Sequence, residues 1–283
     1  MTNRDRIILS VDQIESRLRE NITVSELARS AGYSLFHFIR LFSGIVGFTP
    51  KEYIMRRRLS ETAKILCETD TKVIDIAFAY DFQSHEAFSR AFRRQFGQNP
   101  SEFRKRTEPP ITFERYTPKP VKIKAVKLFR DPDIVDMDRI MLVGKIISVK
   151  NSTAEISAIW NRFSRSVHII PSRAVPERFV QFSFWEEDAS QGEFFCMAAA
   201  AVTDLSSIPT TMCGKTISDG KYLRFIHRGR ACEIGSTYAL IYNDYLPGTD
   251  FILNKPFNFE LYGERCLGPD NPESETEIYI PIG

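Results

Sequence analysis

Apolar positions along the first hundred residues recur at helical spacing. In DRIILSVDQIESRLREN, Ile7, Val11, Ile14 and Leu18 fall at i, i+4, i+7 and i+11, one stripe of an amphipathic helix. Further helix starts are announced by caps: Thr23 with Glu26, Thr49 with Glu52, and Asn99 with Glu102 each set a capping side chain three residues ahead of a carboxylate that can reach back to it. Pro50 and Pro100 then take the first turn, where a missing amide hydrogen costs nothing. Beyond the proline-bearing stretch TEPPITFERYTPKP, Thr107 to Pro120, which reads as a stiff extended linker, the period changes. VKIKAVKLF, MLVGKIISV, RFVQFSFW, FFCMAAAAV, KYLRFIHRG, FNFELYG and EIYIPI are strand-like, and two helical patterns, 152–167 and 231–245, lie among them. The predicted architecture is mixed: an all-α domain over 1–107, a linker over 108–120, and an α+β domain over 121–283 made of two similar halves.

Within the helical part a motif occurs twice. RLFSGIVGFTPKEY from Arg40 and RAFRRQFGQNPSEF from Arg90 place Arg, Phe, Gly, Pro, Glu and a final aromatic at the same relative positions. Each copy is preceded by a short helix pattern, a tight turn and a capping serine, Ser34 or Ser84, so each unit reads helix, turn, helix. Phe38 with Phe42 and Phe88 with Phe92 are i, i+4 pairs that face a core, which turns Arg40 and Arg90 elsewhere. Gly47 and Gly97 suit the left-handed residue that ends a helix. The long helix from Pro50 to Cys67 joins the units, and two such helices on one rigid connector match successive turns of a DNA duplex. One isolated copy leaves a helical bundle that never touches DNA as an equal alternative; the duplication favours DNA.

Charge adds to that picture. The chain as a whole is +2, but residues 1–107 carry 18 Lys/Arg against 13 Asp/Glu while the remainder carries 20 against 23, so a polyanion partner suits the first part only. No run approaches a membrane span, the first residues lack the pattern of an export signal, and a cytoplasmic protein is expected. The five cysteines are scattered, without a C-x-x-C pair, which argues against a disulfide framework and a zinc site; no metal or cofactor is expected. His37 and His85 sit in the second helices of the two units without evident metal partners, so groove contact or helix surface is expected of them. Arg56, Arg57 and Arg58 form a charge run expected to be a solvated face, with phosphate contact from one or two of its members.

The segment RRRLSETAKILCETDTKVIDIAFAYDFQSHEAFSRAFRRQFGQNPSEFRK resembles the DNA-binding domain of AraC/XylS-type transcription regulators, over residues 8–106, and the domain order is similar to that of the Rob-type regulators. The resemblance implies base reading by Phe36, Ile39 and Arg40 in the first recognition helix and by His85, Glu86, Ala87 and Arg90 in the second. Arginine can take guanine bidentately and glutamate can accept from a cytosine amine, whereas Ile39 and Ala87 offer only contact with a thymine methyl. Asp81 departs from the family's usual glycine in the turn, and a local cost is expected there.

GKYLRFIHRG, IGSTYALIYNDYLPG, FNFELYGE and ETEIYIPI resemble the GyrI-like effector-binding domain, which implies two fused strand-helix-strand-strand repeats over residues 121–283. In FNFELYGE, alternation puts Phe257, Phe259 and Leu261 on one face and Asn258, Glu260 and Tyr262 on the other. Alternation alone favours an ordinary solvated Glu260; the resemblance implies that it is the pocket carboxylate. Trp185, Tyr222 and Tyr262 are candidate pocket walls, and a carboxylate beside aromatic rings suits a hydrophobic, cationic effector. Together these readings describe a DNA-binding transcription regulator, an activator by family habit, working with double-stranded DNA, RNA polymerase and a small-molecule effector. Two alternatives stand beside it: a hydrolase using Glu260 and Tyr222 as acid and base, and an architectural DNA binder without a ligand.

Overall fold

Caps and stripes govern the helical unit much as the pattern predicts. The computed structural model describes residues 1–106, 110–118, 128–149, 153–185 and 194–283. Seven helices come first: α1 (Asn3–Ser16), α2 (Val24–Ser30), α3 (Leu35–Val46), α4 (Pro50–Glu68), α5 (Val73–Ala79), α6 (His85–Phe96) and α7 (Pro100–Phe103). Thr49 forms a reciprocal capping box with Glu52, the Asn99 backbone amide donates to the Glu102 carboxylate at 3.2 Å, and Thr23 accepts from the Glu26 amide. Ile7, Val11, Ile14 and Leu18 are buried, as are Phe38, Phe42, Phe88 and Phe92. Gly47 and Gly97 both carry positive φ, 86° and 74°, the left-handed conformation that closes α3 and α6.

The run of three arginines is corrected by the structure. Arg57 is buried: its guanidinium donates to both carboxylate oxygens of Glu15 at 2.8 and 3.0 Å, to Glu61 at 2.9 Å and to the Phe113 carbonyl at 2.7 Å. Arg58 is buried too, donating to the Leu18 carbonyl at 2.9 Å and pairing with Asp81 at 3.0 Å. Only Arg56 is exposed, lying over the Phe48 ring at 4.6 Å. Successive helical residues point about 100° apart, so one of three faces out while two staple α4 to its neighbours. Asp81, at φ 61°, is the one non-glycine residue with positive φ among those described, and its bond with Arg58 offsets the cost of that backbone.

The proline-bearing segment is fastened to α4. The Phe113 amide donates to Ser60 Oγ at 2.8 Å, the Tyr116 amide donates to the Tyr53 hydroxyl at 3.0 Å, and the Phe113 ring packs edge-on against Phe48 and Tyr53 at 5.1 and 5.8 Å. Residues 110–118 carry no regular secondary structure and are held at Phe113 and Tyr116; the expected strand beginning at 121 falls largely on residues outside those described.

The second unit is an eight-stranded antiparallel sheet, ordered β1-β6-β8-β7-β3-β4-β2-β5. Its strands are β1 (Asp133–Met137), β2 (Ile140–Val149), β3 (Phe179–Phe184), β4 (Phe194–Val202), β5 (Cys213–Ile217), β6 (Gly220–Arg228), β7 (Phe257–Tyr262) and β8 (Glu275–Pro281), with α8 (Thr153–Ser164) and α9 (Ile234–Ala239) between them. The chain therefore runs through two like halves, β2-α8-β3-β4 and β6-α9-β7-β8, each led by a short strand that pairs with the other half. Asp133 opposes Arg224 in the β1–β6 pairing, and Ile140 opposes Ile217 and Gly144 opposes Cys213 in the β2–β5 pairing, so these two short strands form the ends of the sheet order. Gly144 is required there, because a Cβ would stand 2.1 Å from the Ala198 carbonyl oxygen.

The two sheet faces differ. Leu142, Val180, Phe182, Met197, Tyr222, Phe259, Leu261 and Tyr279 pack together on one face. On the other, Val143, Ala198 and Ala200 pack against Ile159 and Phe163 of α8. After α9 the helix widens into a π segment, Leu240–Tyr245.

Candidate functional site

In the helical part, both units of the doubled motif form. Ser84 Oγ accepts from the Ala87 amide at 3.1 Å and starts α6, which buries Phe88, Ala91 and Phe92 and leaves Glu86 and Arg90 exposed. His85 and Ala87 are half-buried. The Glu86 carboxyl is held below its usual range by backbone and Ser84 hydrogen bonds at the helix start. Gln95 reaches the Arg56 carbonyl and Ser60 Oγ, each at 3.3 Å, and so ties α6 to α4. In α3, Ile39 and Arg40 are half-buried, while Phe36 and His37 are buried.

The second candidate site is built around Glu260, in the middle of β7. Glu260 is only 3% exposed. Directly opposite it on β3 stands Gln181, whose amide nitrogen donates to Glu260 at 3.0 Å. The Tyr262 hydroxyl donates to the other carboxylate oxygen at 2.5 Å, and Tyr238, projecting from α9, donates at 3.1 Å. From α8, the Trp160 indole donates to the Gln181 side-chain amide oxygen at 2.9 Å, and its ring meets Tyr262 edge-on at 5.1 Å. The carboxylate is thus held by donors from β3, β7 and α9, and the Trp160 ring of α8 packs against two of them, Gln181 and Tyr262. Burial and the neighbouring Glu260 push the Tyr262 hydroxyl far above its ordinary pKa, so it remains a donor. Burial, with Glu260 adding to it, also pushes the nearby Cys196 thiol up to about 12.

Of the candidate pocket residues, the structure brings Tyr262 to Glu260 and separates the other two. Tyr222 packs on the opposite sheet face against Phe259 and Tyr279, its hydroxyl on the Ser218 carbonyl. The acid–base pairing of Glu260 with Tyr222 is therefore not formed. Trp185 lies beyond the end of β3, four residues past Gln181, and touches Phe194. Gln181, Tyr238 and Trp160 were missed; Gln181 alone left a signal, as the lone amide inside the apolar run RFVQFSFW. A cleft of about 390 Å³ lies elsewhere, lined by Arg139, Arg178, Val180 and Leu261 among others, on the face away from Glu260. Among the described residues, no group of three His, Cys, Asp or Glu side chains could hold a metal ion, and no helix is long and apolar enough to cross a membrane.

Comparison with known proteins places both halves. Residues 27–106 match a helix-turn-helix domain family and residues 133–282 match the integron-associated effector binding protein family. The right origin-binding protein of Escherichia coli strain K12 is 26% identical over 287 residues, spanning 95% of each chain. The transcriptional regulator Rob of Salmonella typhimurium is 25% identical over 287 residues, again 95% of each. The HTH-type transcriptional activator AarP of Providencia stuartii is 41% identical over 91 residues, 32% of this chain and 67% of its own. With more than half its length in that match, the chain belongs to the integron-associated effector binding protein family, here joined behind an AraC-type helix-turn-helix domain in the domain order of Rob.

Proposed function

We propose that this AraC-type regulator reads DNA through residues 1–107 and senses a hydrophobic cation at Glu260 through residues 121–283. The observation that carries the sensing half is the buried Glu260 carboxylate beneath Tyr238, Tyr262 and Trp160. Buried carboxylates are costly, and one set against aromatic rings suits a ligand that brings positive charge and apolar surface together. The reading half rests on the doubled helix-turn-helix and on exposed Arg90 and Glu86, both suited to base edges. Activation is the expected direction, supported by the activator name of AarP, with RNA polymerase as the protein partner and the cytoplasm as the place of action.

Because Glu260 is covered in this conformation, a ligand must part the side chains that α8 and α9 lay over it. Binding then exchanges one set of donors on the carboxylate for the ligand's charge, which makes occupancy sensitive to cation shape. The test is a thermal-shift measurement on the full chain with a panel of lipophilic cations. At least one member should raise Tm in the wild type and not in Glu260→Gln, whose unliganded Tm is read alongside. Equal shifts in both proteins would remove Glu260 from the site.

A further inference from the structure

The two recognition helices are alike in their core and unlike in the face opposite it. In α6 the positions His85, Glu86, Ser89, Arg90, Arg93 and Arg94 recur at helical spacing and form one polar face opposite buried Phe88, Ala91 and Phe92. Glu86, Arg90, Arg93 and Arg94 are exposed, and none of these three arginines makes an ion pair among the described residues. Fifty residues earlier the equivalent positions of α3 are Leu35, Phe36, Ile39, Arg40, Ser43 and Gly44. Five hydrogen-bonding or charged groups are thereby replaced by apolar or small ones, and only the arginine is common to both faces with its charge.

Base discrimination in the major groove comes from hydrogen bonds to base edges, and apolar side chains contribute only contact with thymine methyls. Cations on the same face also neutralise phosphates and release counterions. A face with three arginines and a carboxylate can do both; a face with one arginine can do little of either. We infer that the second helix-turn-helix carries most of the sequence specificity and most of the phosphate attraction, so that the DNA site is asymmetric, with an informative half under α6 and a weakly specified half under α3. This rests on the DNA-reading function proposed above and assigns its unequal halves. Within α6, Arg90 and Glu86 sit nearer the helix start and are the base readers. Arg93 and Arg94 in the last turn are the phosphate anchors; their complement to the helix dipole accounts for charge there but not for Arg90 or Glu86.

The experiment is selection of bound duplexes from a random pool with the full-length wild type, Arg40→Ala and Arg90→Ala, followed by salt titrations of binding for Arg93→Ala. The expected result is a motif concentrated in one half-site. Arg90→Ala should lower discrimination within that half by roughly tenfold or more, with much less change for Arg40→Ala. Arg93→Ala should weaken all sequences alike and reduce the salt slope by about one. Two half-sites of equal information, or a larger loss from Arg40→Ala than from Arg90→Ala, overturns the asymmetry while leaving DNA reading intact. A wild-type protein that selects no motif at all overturns the DNA-reading function itself. Far-UV circular dichroism of each variant separates lost contacts from lost folding.

Discussion

Replacing Arg57 with methionine removes a guanidinium that is 6% exposed and makes four hydrogen bonds, to both oxygens of Glu15, to Glu61 and to the Phe113 carbonyl. Its loss leaves Glu15, 11% exposed, with the Tyr53 hydroxyl at 2.7 Å as a remaining donor. Breaking one side of a buried ion pair costs about 3 to 5 kcal/mol. Glu61 is 27% exposed and water can take over part of its solvation, which sets the expected loss at the lower end, about 3 kcal/mol. The assay is urea unfolding of the full chain followed by far-UV circular dichroism, read at the transition of the helical unit. A companion Glu15→Leu/Arg57→Met variant removes both charges and should recover most of the loss, because no uncompensated carboxylate then remains buried. A cost below about 1 kcal/mol for the single variant would refute the reading of Arg57 as a staple and return the arginine run to the surface.

Acid should loosen the same region. Glu61 is pushed up by burial but held below its ordinary 4.5 overall by hydrogen bonds from Lys64 and Arg57, so its contribution is full above about pH 4.5 and is lost as pH falls through the depressed folded value; unfolding midpoints should drop over that window and drop less in Glu61→Gln. A thiol reagent at neutral pH should label exposed Cys67 and Cys232 quickly and spare Cys196, which is buried and has a pKa near 12; rapid labelling of Cys196 in the folded protein would contradict the packing between β3 and β4. A fragment ending at residue 118 should be more stable than one ending at 106 by about 2 kcal/mol, from the Phe113 and Tyr116 hydrogen bonds and the Phe113 ring. Equal midpoints for the two fragments would mean that the segment adds nothing to α4.

Much of the helical unit was legible because its signals are local. Capping pairs three residues apart, i, i+4 phenylalanines and glycines at helix ends depend on nothing beyond the next turn. The fate of Arg57 and Arg58 was not legible, since their partners Glu15 and Asp81 lie 42 and 23 residues away in sequence and only the packing of α1 and the second turn against α4 brings them in. Strand alternation correctly divided Phe259 and Leu261 from Asn258, Glu260 and Tyr262 within β7. It could not say which face of β6 joins which face of β7, so Tyr222 was grouped with Glu260 although it packs on the opposite side. The short edge strands β1 and β5 were missed because DIVDM and CGKTI lack a sustained apolar alternation. Tyr238 and Trp160 reach Glu260 from helices, and no spacing within a strand encodes that.

The most direct test of the account measures DNA affinity of the full chain, by fluorescence anisotropy on its selected site, with and without a saturating lipophilic cation identified by thermal shift. Coupling between the two sites must appear as a change in DNA affinity in the wild type, with the reciprocal change in cation affinity on DNA. The account predicts such a change in the wild type and none in Glu260→Gln. Identical DNA affinity in the wild type with the cation bound and unbound would contradict it.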